Sequence, residues 1–283
     1  MRHWLIIFVG IIAFFGLLGY VAWRLWPDVT SLANDTGLVN IPTSGPVTRF
    51  AVVGDNHGVN DIYRSILRDI SSAGLPLILN VADNSEYGTV EEFEQVRELE
   101  ESFSTPVLHV LGSHDVKTDP TGELFVSAFG RQPCSSFDHG HVRIIILDNA
   151  ERKIGFPAAC LAWLETELAR SADRPVILAY HRPFGYPLSD LIGDDETAAS
   201  RSTNDEFLRI IANYPNIIQI FGAHLHTYLP YRLQGIPAVI TGGGGDPAQT
   251  VLGGARNNNF HWLEVTVRGA VVTIEEHPVQ ITE

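Results

Sequence analysis

Basic residues are scarce in this sequence: its 283 residues include 19 lysines and arginines against 33 aspartates and glutamates, a formal net charge of −14. Proteins that hold nucleic acid by its phosphates carry basic patches, so the deficit argues against a nucleic-acid partner. It does not exclude an anionic substrate, because metal ions bound in an acidic pocket reverse the local field.

Cysteine is also rare, and the two residues of this type, Cys134 and Cys160, have no close spacing that would make a metal motif. Two interpretations stay open: a disulfide, which would form outside the cytoplasm, or two small buried hydrophobic side chains. The sequence also lacks a His-Glu-x-x-His pattern, which binds zinc on a helix in many peptidases. A peptidase of that class is therefore unsupported.

The N-terminus is apolar, and no charged residue occurs in the 20 residues from Trp4 to Trp23. About 20 apolar residues span the roughly 30 Å hydrocarbon core of a bilayer, and aromatic residues near both ends of the run are typical of its interfaces. We therefore predict a transmembrane anchor over residues 1–26. The alternative is a cleaved signal peptide, whose apolar region is normally about 7–15 residues long.

The charges around this run predict its orientation. The N-terminal amine and Arg2 outweigh the single Arg24, which favours a cytoplasmic N-terminus. A single-pass membrane protein would then present the rest of its chain outside the cytoplasm, in the periplasm or the extracellular space. Residues 27–46 are polar and rich in turn-forming residues, which predicts a juxtamembrane linker, and residues 47–283 are predicted to form the folded domain.

Within this domain, apolar runs alternate with helical patterns up to about residue 222, and only strand patterns follow. Asn60 is a predicted helix cap, and Thr89 with Glu92 makes a predicted capping box. The last four strand patterns, from residue 231 onward, are predicted to pair antiparallel. Together these patterns predict an α/β fold with two mixed β-sheets face to face, flanked by helices.

Five of the apolar runs end in histidine or aspartate. The motifs are Asp55-Asn56-His57, Ala82-Asp83-Asn84, Gly112-Ser113-His114-Asp115, Tyr180-His181-Arg182 and Ala223-His224-Leu225-His226. Aspartate and histidine suit divalent transition metals, and a carboxylate can bridge two of them. Two metals about 3.5–4 Å apart can hold a phosphate and activate a water, while a nearby histidine protonates the leaving group. The five strand ends therefore predict a metal-dependent hydrolase.

In their order and spacing the motifs resemble those of the calcineurin-like metallophosphoesterases, and the resemblance runs from about Phe50 to Val272. It implies paired mixed sheets flanked by helices, and hydrolysis of phosphomonoesters or phosphodiesters with two divalent ions of manganese, iron or zinc. It also implies the following roles by motif position: Asp55, His57 and His226 as ligands of the first metal, His181 and His224 as ligands of the second, Asp83 as the bridge, His114 as the acid and Asp115 as the residue that orients it.

The sequence departs from the family pattern at three positions. Ala82 and Ala223 replace glycines, and we expect little cost because alanine is small. Ser113 stands where the family has an asparagine whose amide oxygen ligates the second metal. A serine hydroxyl is a weaker ligand on a shorter side chain, so we expect weaker binding of the second metal. Asn84 is a disfavoured substitute, since adjacent residues of a strand point in opposite directions.

Two further predictions concern the surroundings of the ligands. Arg182 and Tyr228 flank predicted ligands and are candidate contacts for the phosphate or its substituent. The glycines at positions 242–245 lack the helix start of a phosphate cradle, so we predict a tight turn near the pocket. His109, Asp148 and Asn149 match no motif position; we expect the histidine in the core and the other two in a turn.

Three functions are compatible with the sequence: an active phosphoesterase, a non-catalytic scaffold of the same fold with a weakened second metal site, and a metal hydrolase of another class, such as a deacetylase. Within the first, the chain lacks the Asp-Arg-Gly of the serine/threonine protein phosphatases and the tyrosine spacing of purple acid phosphatases. What remains is the broad bacterial-type group that includes cyclic-nucleotide, nucleotide-sugar and general phosphoesterases. A membrane anchor would suit a lipid-linked or periplasmic phosphate ester.

Overall fold

The computed structural model describes residues 45–187, 189–193, 196–247 and 259–279. The predicted anchor over residues 1–26, and all but the last two residues of the predicted linker over 27–46, lie outside the described residues. Among the helices that the structure does describe, none has the length and apolar character needed to cross a membrane.

The first sheet contains five strands: β1 (Val47–Val53), β2 (Ile78–Asn80), β3 (Val107–His109), β10 (His261–Arg268) and β11 (Val271–Pro278). They lie in the order β11-β10-β1-β2-β3. The strands β1, β2 and β3 run parallel, whereas β10 pairs antiparallel with both β1 and β11. The first sheet is therefore mixed, as predicted.

The second sheet contains six strands: β4 (Ser135–His139), β5 (Val142–Ile146), β6 (Val176–Ala179), β7 (Ile217–Gly222), β8 (Tyr228–Leu233) and β9 (Ile236–Thr241). They lie in the order β4-β5-β6-β7-β9-β8, with antiparallel pairs at both edges and parallel pairs between them. The prediction of purely antiparallel pairing after residue 231 is wrong for β9. This strand pairs antiparallel with the edge strand β8 on one side and parallel with β7 on the other.

The described helices are α1 (Asp61–Ser72), α2 (Val90–Glu101), α3 (Glu123–Phe129), α4 (Ala158–Arg170), α5 (Ser189–Ile192) and α6 (Ala198–Ile211). Two predicted starts are confirmed. The Asn60 side chain accepts a hydrogen bond from the backbone of Tyr63, and Thr89 and Glu92 form the reciprocal capping box. The sequence patterns did not predict α3 and α5, which are short.

The layers follow from the alternation of side chains along each strand. In β1, Phe50 and Val52 pack into the core between the sheets, whereas Ala51 and Val53 pack against α1 and α2. The second sheet repeats this arrangement, with one face on the shared core and the other on α4 and α6. The predicted architecture of two face-to-face mixed sheets flanked by helices is confirmed.

Of the two interpretations of the cysteines, the structure has the disulfide. Cys134 and Cys160 are bonded, with their Cα atoms 5.8 Å apart. The bond joins the start of the edge strand β4 to the first turn of α4. It lies in the layer formed by the second sheet and its helices.

Candidate metal centre

The structure brings together all six predicted metal ligands, in loops that follow β1, β2, β6 and β7. They form two groups, in each of which the candidate ligand atoms lie within 4.8 Å of one another. We call these groups the first ligand group (Asp55, His57 and His226) and the second ligand group (Asp83, His181 and His224). The predicted acid, His114, joins His57 and Asp83 in a third such cluster.

Asp83 lies between the two groups. Its Oδ2 atom is 3.2 Å from Nε2 of His181 and 3.7 Å from Nε2 of His57. Across the site, Oδ1 of Asp55 lies 4.0 Å from Nδ1 of His181, and Oδ2 of Asp55 lies 3.9 Å from Nε2 of His226. This position of Asp83 agrees with the predicted bridging role, which stays a prediction.

Several buried polar atoms of the site lack hydrogen-bond partners, which tests whether a cation fits it. Both carboxylate oxygens of Asp55, Nε2 of His57 and Nδ1 of His181 are buried and have no hydrogen-bond partner among the described residues. Native proteins leave few buried polar groups unpaired, and an unpaired one points to a ligand or ion. Two carboxylates and four imidazoles, with unpaired atoms among them, fit divalent transition metals.

The charges of the site agree with this fit. Burial and the neighbouring charge of Asp83 raise the pKa of Asp55 well above the ordinary carboxyl value. Burial also opposes ionisation of Asp83, but the imidazoles of His181, His114 and His57 outweigh it and hold its pKa below the ordinary value. Burial lowers the pKa of His181 to about 4, so its ring is neutral near pH 7. Neutral imidazole is the form that ligates metals.

The ligand loops have an unusual backbone. Among the described residues other than glycine, φ is positive at seven, and five of these are predicted ligands. The five are Asp55, His57, Asp83, His224 and His226. Such conformations cost on the order of 1–3 kcal/mol each and concentrate at functional sites, where the surrounding fold enforces them. The geometry of the side chains is therefore set by the loops and not by rotamer choice alone.

Two glycines allow the loops to approach each other. A side-chain carbon at Gly112 would overlap the backbone nitrogen and the carboxylate of Asp83, and one at Gly242 would overlap the carboxylate of Asp55. The glycine run that begins at Gly242 lies at the site, as predicted. The lack of a side chain at Gly242 leaves space for the carboxylate of Asp55. The absence of side chains at both positions thus permits the compact ligand arrangement.

The expectation that the two alanine replacements cost little is wrong for Ala82. Its φ is 91°, a conformation that favours glycine, whereas Ala223 is not among the described residues with positive φ. The sequence shows which residue occupies the position but not the backbone angle it must adopt. Only one of the two departures from the family glycines therefore carries backbone strain.

Replacing Ala82 with glycine should raise the free energy of unfolding by about 1 kcal/mol, because glycine adopts this φ without strain. Ala223→Gly is the matched control. It relieves no positive φ and increases the freedom of the unfolded chain, so it should lower the free energy of unfolding by about 0.5–1 kcal/mol. Chemical denaturation of the two variants measures both values. Equal shifts of the same sign would show that the backbone angle at residue 82 is not the cause.

Ser113 lies at the second ligand group. Its Oγ is 3.2 Å from Nε2 of His181 and 3.5 Å from Oδ2 of Asp83. Asn84, considered as its substitute, turns away from the ligands. The Asn84 amide donates to the backbone of Val110 and to Asp115. The prediction that Asn84 does not replace the missing amide agrees with the structure.

Asp115 acts differently from the prediction that it orients the His114 ring. Its carboxylate accepts hydrogen bonds from the backbone of Gly112 and Ser85 and from the side chains of Asn84 and Ser85. Burial and the nearby charge of Asp83 raise its pKa to about 6. Neighbouring residues of a turn point in different directions, so Asp115 closes the turn that carries His114 instead of bonding its ring.

The partners of the His114 ring were missed from the sequence. Its Nδ1 atom lies 2.7 Å from Nζ of Lys117, 3.1 Å from the backbone oxygen of Glu86 and 3.5 Å from the Glu86 carboxylate. The backbone N–H of His114 donates to Oδ1 of Asp83 at 2.8 Å. Burial is the main cause that lowers the pKa of His114. Glu86 follows the predicted ligand Asp83 by only three residues, and this closeness in sequence is the one feature that could have indicated Glu86 as a residue of the site.

Asn149 is a second missed contributor, since its residue type predicted only a turn. Its side-chain oxygen accepts hydrogen bonds from the backbone of His181 and Arg182, and its amide donates to the Arg182 carbonyl. Asn149 therefore fixes the loop that carries His181. His109 is buried, as expected, but it is not an isolated core residue, because Nδ1 lies 2.8 Å from Oδ1 of Asn84.

The two predicted substrate contacts differ in their positions. The guanidinium of Arg182 lies 2.9 Å from Nε2 of His224 and also donates to the backbone of Ala150. Arg182 borders a cavity of about 530 Å³. Tyr228 is half-buried, and its ring lies edge-on to that of His261 at 5.8 Å. The structure therefore places Arg182 against His224, a predicted ligand.

Comparison with known proteins gives matches in both sequence and structure. A family model of calcineurin-like phosphoesterases matches residues 48–228. A 3′,5′-cyclic-nucleotide phosphodiesterase from Nostoc sp. is 26% identical over 156 residues, 54% of this chain and 56% of that protein. This chain thus spans just over half the length of that relative.

Two solved structures share the fold. A dimetal phosphatase from Danio rerio has a TM-score of 0.59 at 13% identity, covering 81% of this chain and 98% of its own. GAP50, the anchor in the inner membrane complex of Plasmodium, has a TM-score of 0.60 at 12% identity. The match covers 84% of this chain and 90% of the GAP50 chain. At these identities the likeness shows the fold alone.

The family model covers more than half of the chain and contains all five motifs. Within it lie both ligand groups, whose residues suit the divalent metals that the family uses. The chain belongs to the calcineurin-like phosphoesterase family.

Proposed function

We propose that this protein is an active phosphodiesterase or phosphomonoesterase that uses two divalent metal ions. One observation carries the proposal: two largely buried ligand groups adjoin at Asp83, and their unpaired oxygen and nitrogen atoms fit cations. The first ligand group would hold one ion, and the second ligand group the other, with Asp83 shared. When bound, such ions polarise the phosphoryl group and lower the pKa of a water near it.

The residues of the chain supply the remaining steps. The hydrogen bond from the backbone of His114 to Asp83 holds the ring beside both groups. As an acid the ring would be the imidazolium, whose Nδ1–H can donate to the backbone oxygen of Glu86 3.1 Å away while the second proton is on Nε2. From there it passes to the oxygen of the leaving group as the phosphorus–oxygen bond breaks. Arg182, at the edge of the second ligand group, is the proposed contact for a phosphate oxygen or its substituent.

Cyclic nucleotides are the first substrates to test, because the Nostoc relative is a 3′,5′-cyclic-nucleotide phosphodiesterase. The full chain in detergent with added Mn²⁺ is assayed with 3′,5′-cyclic AMP, bis-p-nitrophenyl phosphate and p-nitrophenyl phosphate. We expect metal-dependent release of product from at least one of the three, and loss of that product with chelator. No hydrolysis of any substrate by protein that holds two metals would overturn the proposal.

A non-catalytic scaffold is the second candidate, and two observations favour it. Ser113 replaces a metal-binding amide, and a chain of the same fold, GAP50, is an anchor in a membrane complex. The alternatives differ in metal content. The enzyme is expected to hold close to two metals per chain after incubation with Mn²⁺ and desalting, whereas a scaffold that has lost the site would hold none.

Replacing Ser113 with asparagine should strengthen binding of the second metal. The Ser113 hydroxyl already lies 3.2 Å from His181 in the second ligand group, and an amide oxygen is the better neutral ligand there. We expect about tenfold tighter binding of the weaker Mn²⁺ and no loss of activity at limiting metal. Equilibrium dialysis measures the affinity, with Ser72→Asn, at an exposed position at the end of α1, as the control. Unchanged affinity would mean that another group completes the site.

We also propose that the domain of residues 47–283 lies outside the cytoplasm, anchored by residues 1–26. The apolar run from Trp4 to Trp23 supports an anchor, and the disulfide between Cys134 and Cys160 supports an oxidising compartment. A periplasmic or lipid-linked phosphate ester would suit this location. Protease added to intact cells or spheroplasts should digest the domain while a cytoplasmic marker survives. Full protection in both preparations would place the domain in the cytoplasm.

A further inference from the structure

Two carboxylates outside the predicted ligand set contact the outer nitrogens of two ligand imidazoles. Oε2 of Glu86 lies 2.8 Å from Nδ1 of His57, and Oδ2 of Asp246 lies 2.9 Å from Nδ1 of His226. Both imidazoles belong to the first ligand group, and their other nitrogens face its interior, with Nε2 of His226 3.9 Å from Asp55. Neither carboxylate is in a sequence motif.

The backbone holds both carboxylates in place. The Glu86 loop is tied to the His57 loop by hydrogen bonds from the backbone of His57 to Asp83 and from Gly58 to Asn84, each 2.9 Å. The Asp246 backbone donates to the carbonyl of Asp55 at 3.1 Å. Each carboxylate thus sits on a loop that is bonded to the strand end carrying a ligand. The backbone therefore holds both loops, and the carboxylates they carry, next to the ligand imidazoles.

We propose that Glu86 and Asp246 are positioning residues of the first ligand group, each accepting the Nδ1–H of one imidazole so that the Nε2 lone pair faces the metal. A carboxylate in this position makes the imidazole a stronger ligand and, where no other acceptor is near, also fixes its tautomer. The inference rests on the proposed function, because it concerns the metals that the function requires.

The second ligand group has different neighbours. Nε2 of His224 lies 2.9 Å from the guanidinium of Arg182, and the Ser113 hydroxyl occupies the place of an amide ligand. The first group thus has a carboxylate beside the Nδ1 atom of each of two imidazoles, whereas the second group contains the weak neutral ligand Ser113. The geometry points to unequal metal positions, with the first ligand group filled at lower metal concentration than the second.

Substitutions separate the charge of each carboxylate from its role as an acceptor. Glu86→Gln removes the charge but keeps an oxygen that accepts from His57, whereas Glu86→Ala removes both. His226 differs, because its Nδ1 also lies 3.2 Å from the carbonyl oxygen of Pro247. Asp246→Ala therefore leaves an acceptor for the His226 ring. Glu91→Gln is the matched control, since this glutamate is exposed at the start of α2.

The first measurement is a Mn²⁺ titration of the full chain in detergent, with free Mn²⁺ read from its electron paramagnetic resonance signal. Wild type and Glu91→Gln should show a tight and a weak site. Glu86→Gln and Asp246→Asn should each weaken the tight site by about 10–100-fold and leave the weak site unchanged. Unchanged binding at the tight site in both variants would overturn the inference, whereas no Mn²⁺ binding by wild type would overturn the proposed function as well.

The second measurement needs no metal and detects a tautomer directly. Two-dimensional NMR of histidine labelled with ¹⁵N should show the proton on Nδ1 of His57 and His226 in wild type. Glu86→Ala should shift His57 away from this tautomer, whereas Glu86→Gln and Asp246→Ala should retain it on both rings. If Glu86 had only a structural role, the His57 tautomer would not differ between Glu86→Ala and Glu86→Gln. An unchanged His57 tautomer in Glu86→Ala therefore contradicts the proposal.

Discussion

Replacing Asp83 with asparagine should abolish measurable hydrolysis, with a fall in kcat of about 10³-fold or more. Asp83 lies within 3.7 Å of imidazoles from both ligand groups, and its second oxygen receives the backbone N–H of His114. A neutral amide would weaken both metal positions and the placement of the acid together. Each lost factor of ten corresponds to about 1.4 kcal/mol, so this fall requires about 4 kcal/mol of lost transition-state stabilisation.

The matched control is Asp148→Asn. Asp148 also follows a strand, and burial raises the pKa of its carboxyl, but it belongs to neither ligand group. Steady-state kinetics with saturating Mn²⁺ and metal analysis are carried out on both variants. We expect near-normal kcat and metal content for Asp148→Asn. Hydrolysis by Asp83→Asn within tenfold of wild type would show that Asp83 does not link the two metal positions.

Replacing His114 with glutamine should lower kcat by about 10²–10⁴-fold for substrates with a poor leaving group, because proton donation is then lost. The loss should be much smaller for p-nitrophenyl esters, whose leaving group departs without a proton. Metal content should stay near that of wild type, since His114 is not among the proposed ligands. Kinetics with 3′,5′-cyclic AMP and bis-p-nitrophenyl phosphate measure the difference.

His139→Gln serves as the control for this substitution. His139 lies on β4, where Nε2 contacts the backbone oxygen of Arg49, away from the ligand groups. It should retain wild-type kinetics with both substrates. An equal loss on both substrates in His114→Gln would mean that the histidine contacts the phosphate instead of donating the proton.

The fold and the ligands could be predicted because they depend on local patterns. Apolar runs in β1, β2, β6 and β7 mark the strand ends, and the order of Asp55, Asp83 and His181 carries the family resemblance. The parallel pairing of β9 with β7 could not be predicted, because the patterns of β8 and β9 do not show which third strand either of them pairs with. Family membership and ligand clustering therefore followed from sequence more readily than sheet order.

The contacts around the ligands were not predictable in the same way. Glu86 meets His57 across 29 residues, and Asp246 meets His226 across 20, with no periodic pattern joining either pair. The sequence predicts that Asp115 contacts the His114 ring, but in the turn its carboxylate accepts hydrogen bonds from the backbone of Gly112 and Ser85. Such contacts depend on how separate loops fold over one another, which residue type and spacing do not specify.

The most direct test of the account is a crystal structure of the protein grown with Mn²⁺, with data collected at the manganese absorption edge. Two anomalous peaks about 3.5–4 Å apart are expected, one in each ligand group, with Asp83 bonded to both. The peak in the second ligand group, beside Ser113, should have the lower occupancy. The absence of manganese from both ligand groups, or two ions that Asp83 does not bridge, would contradict the account.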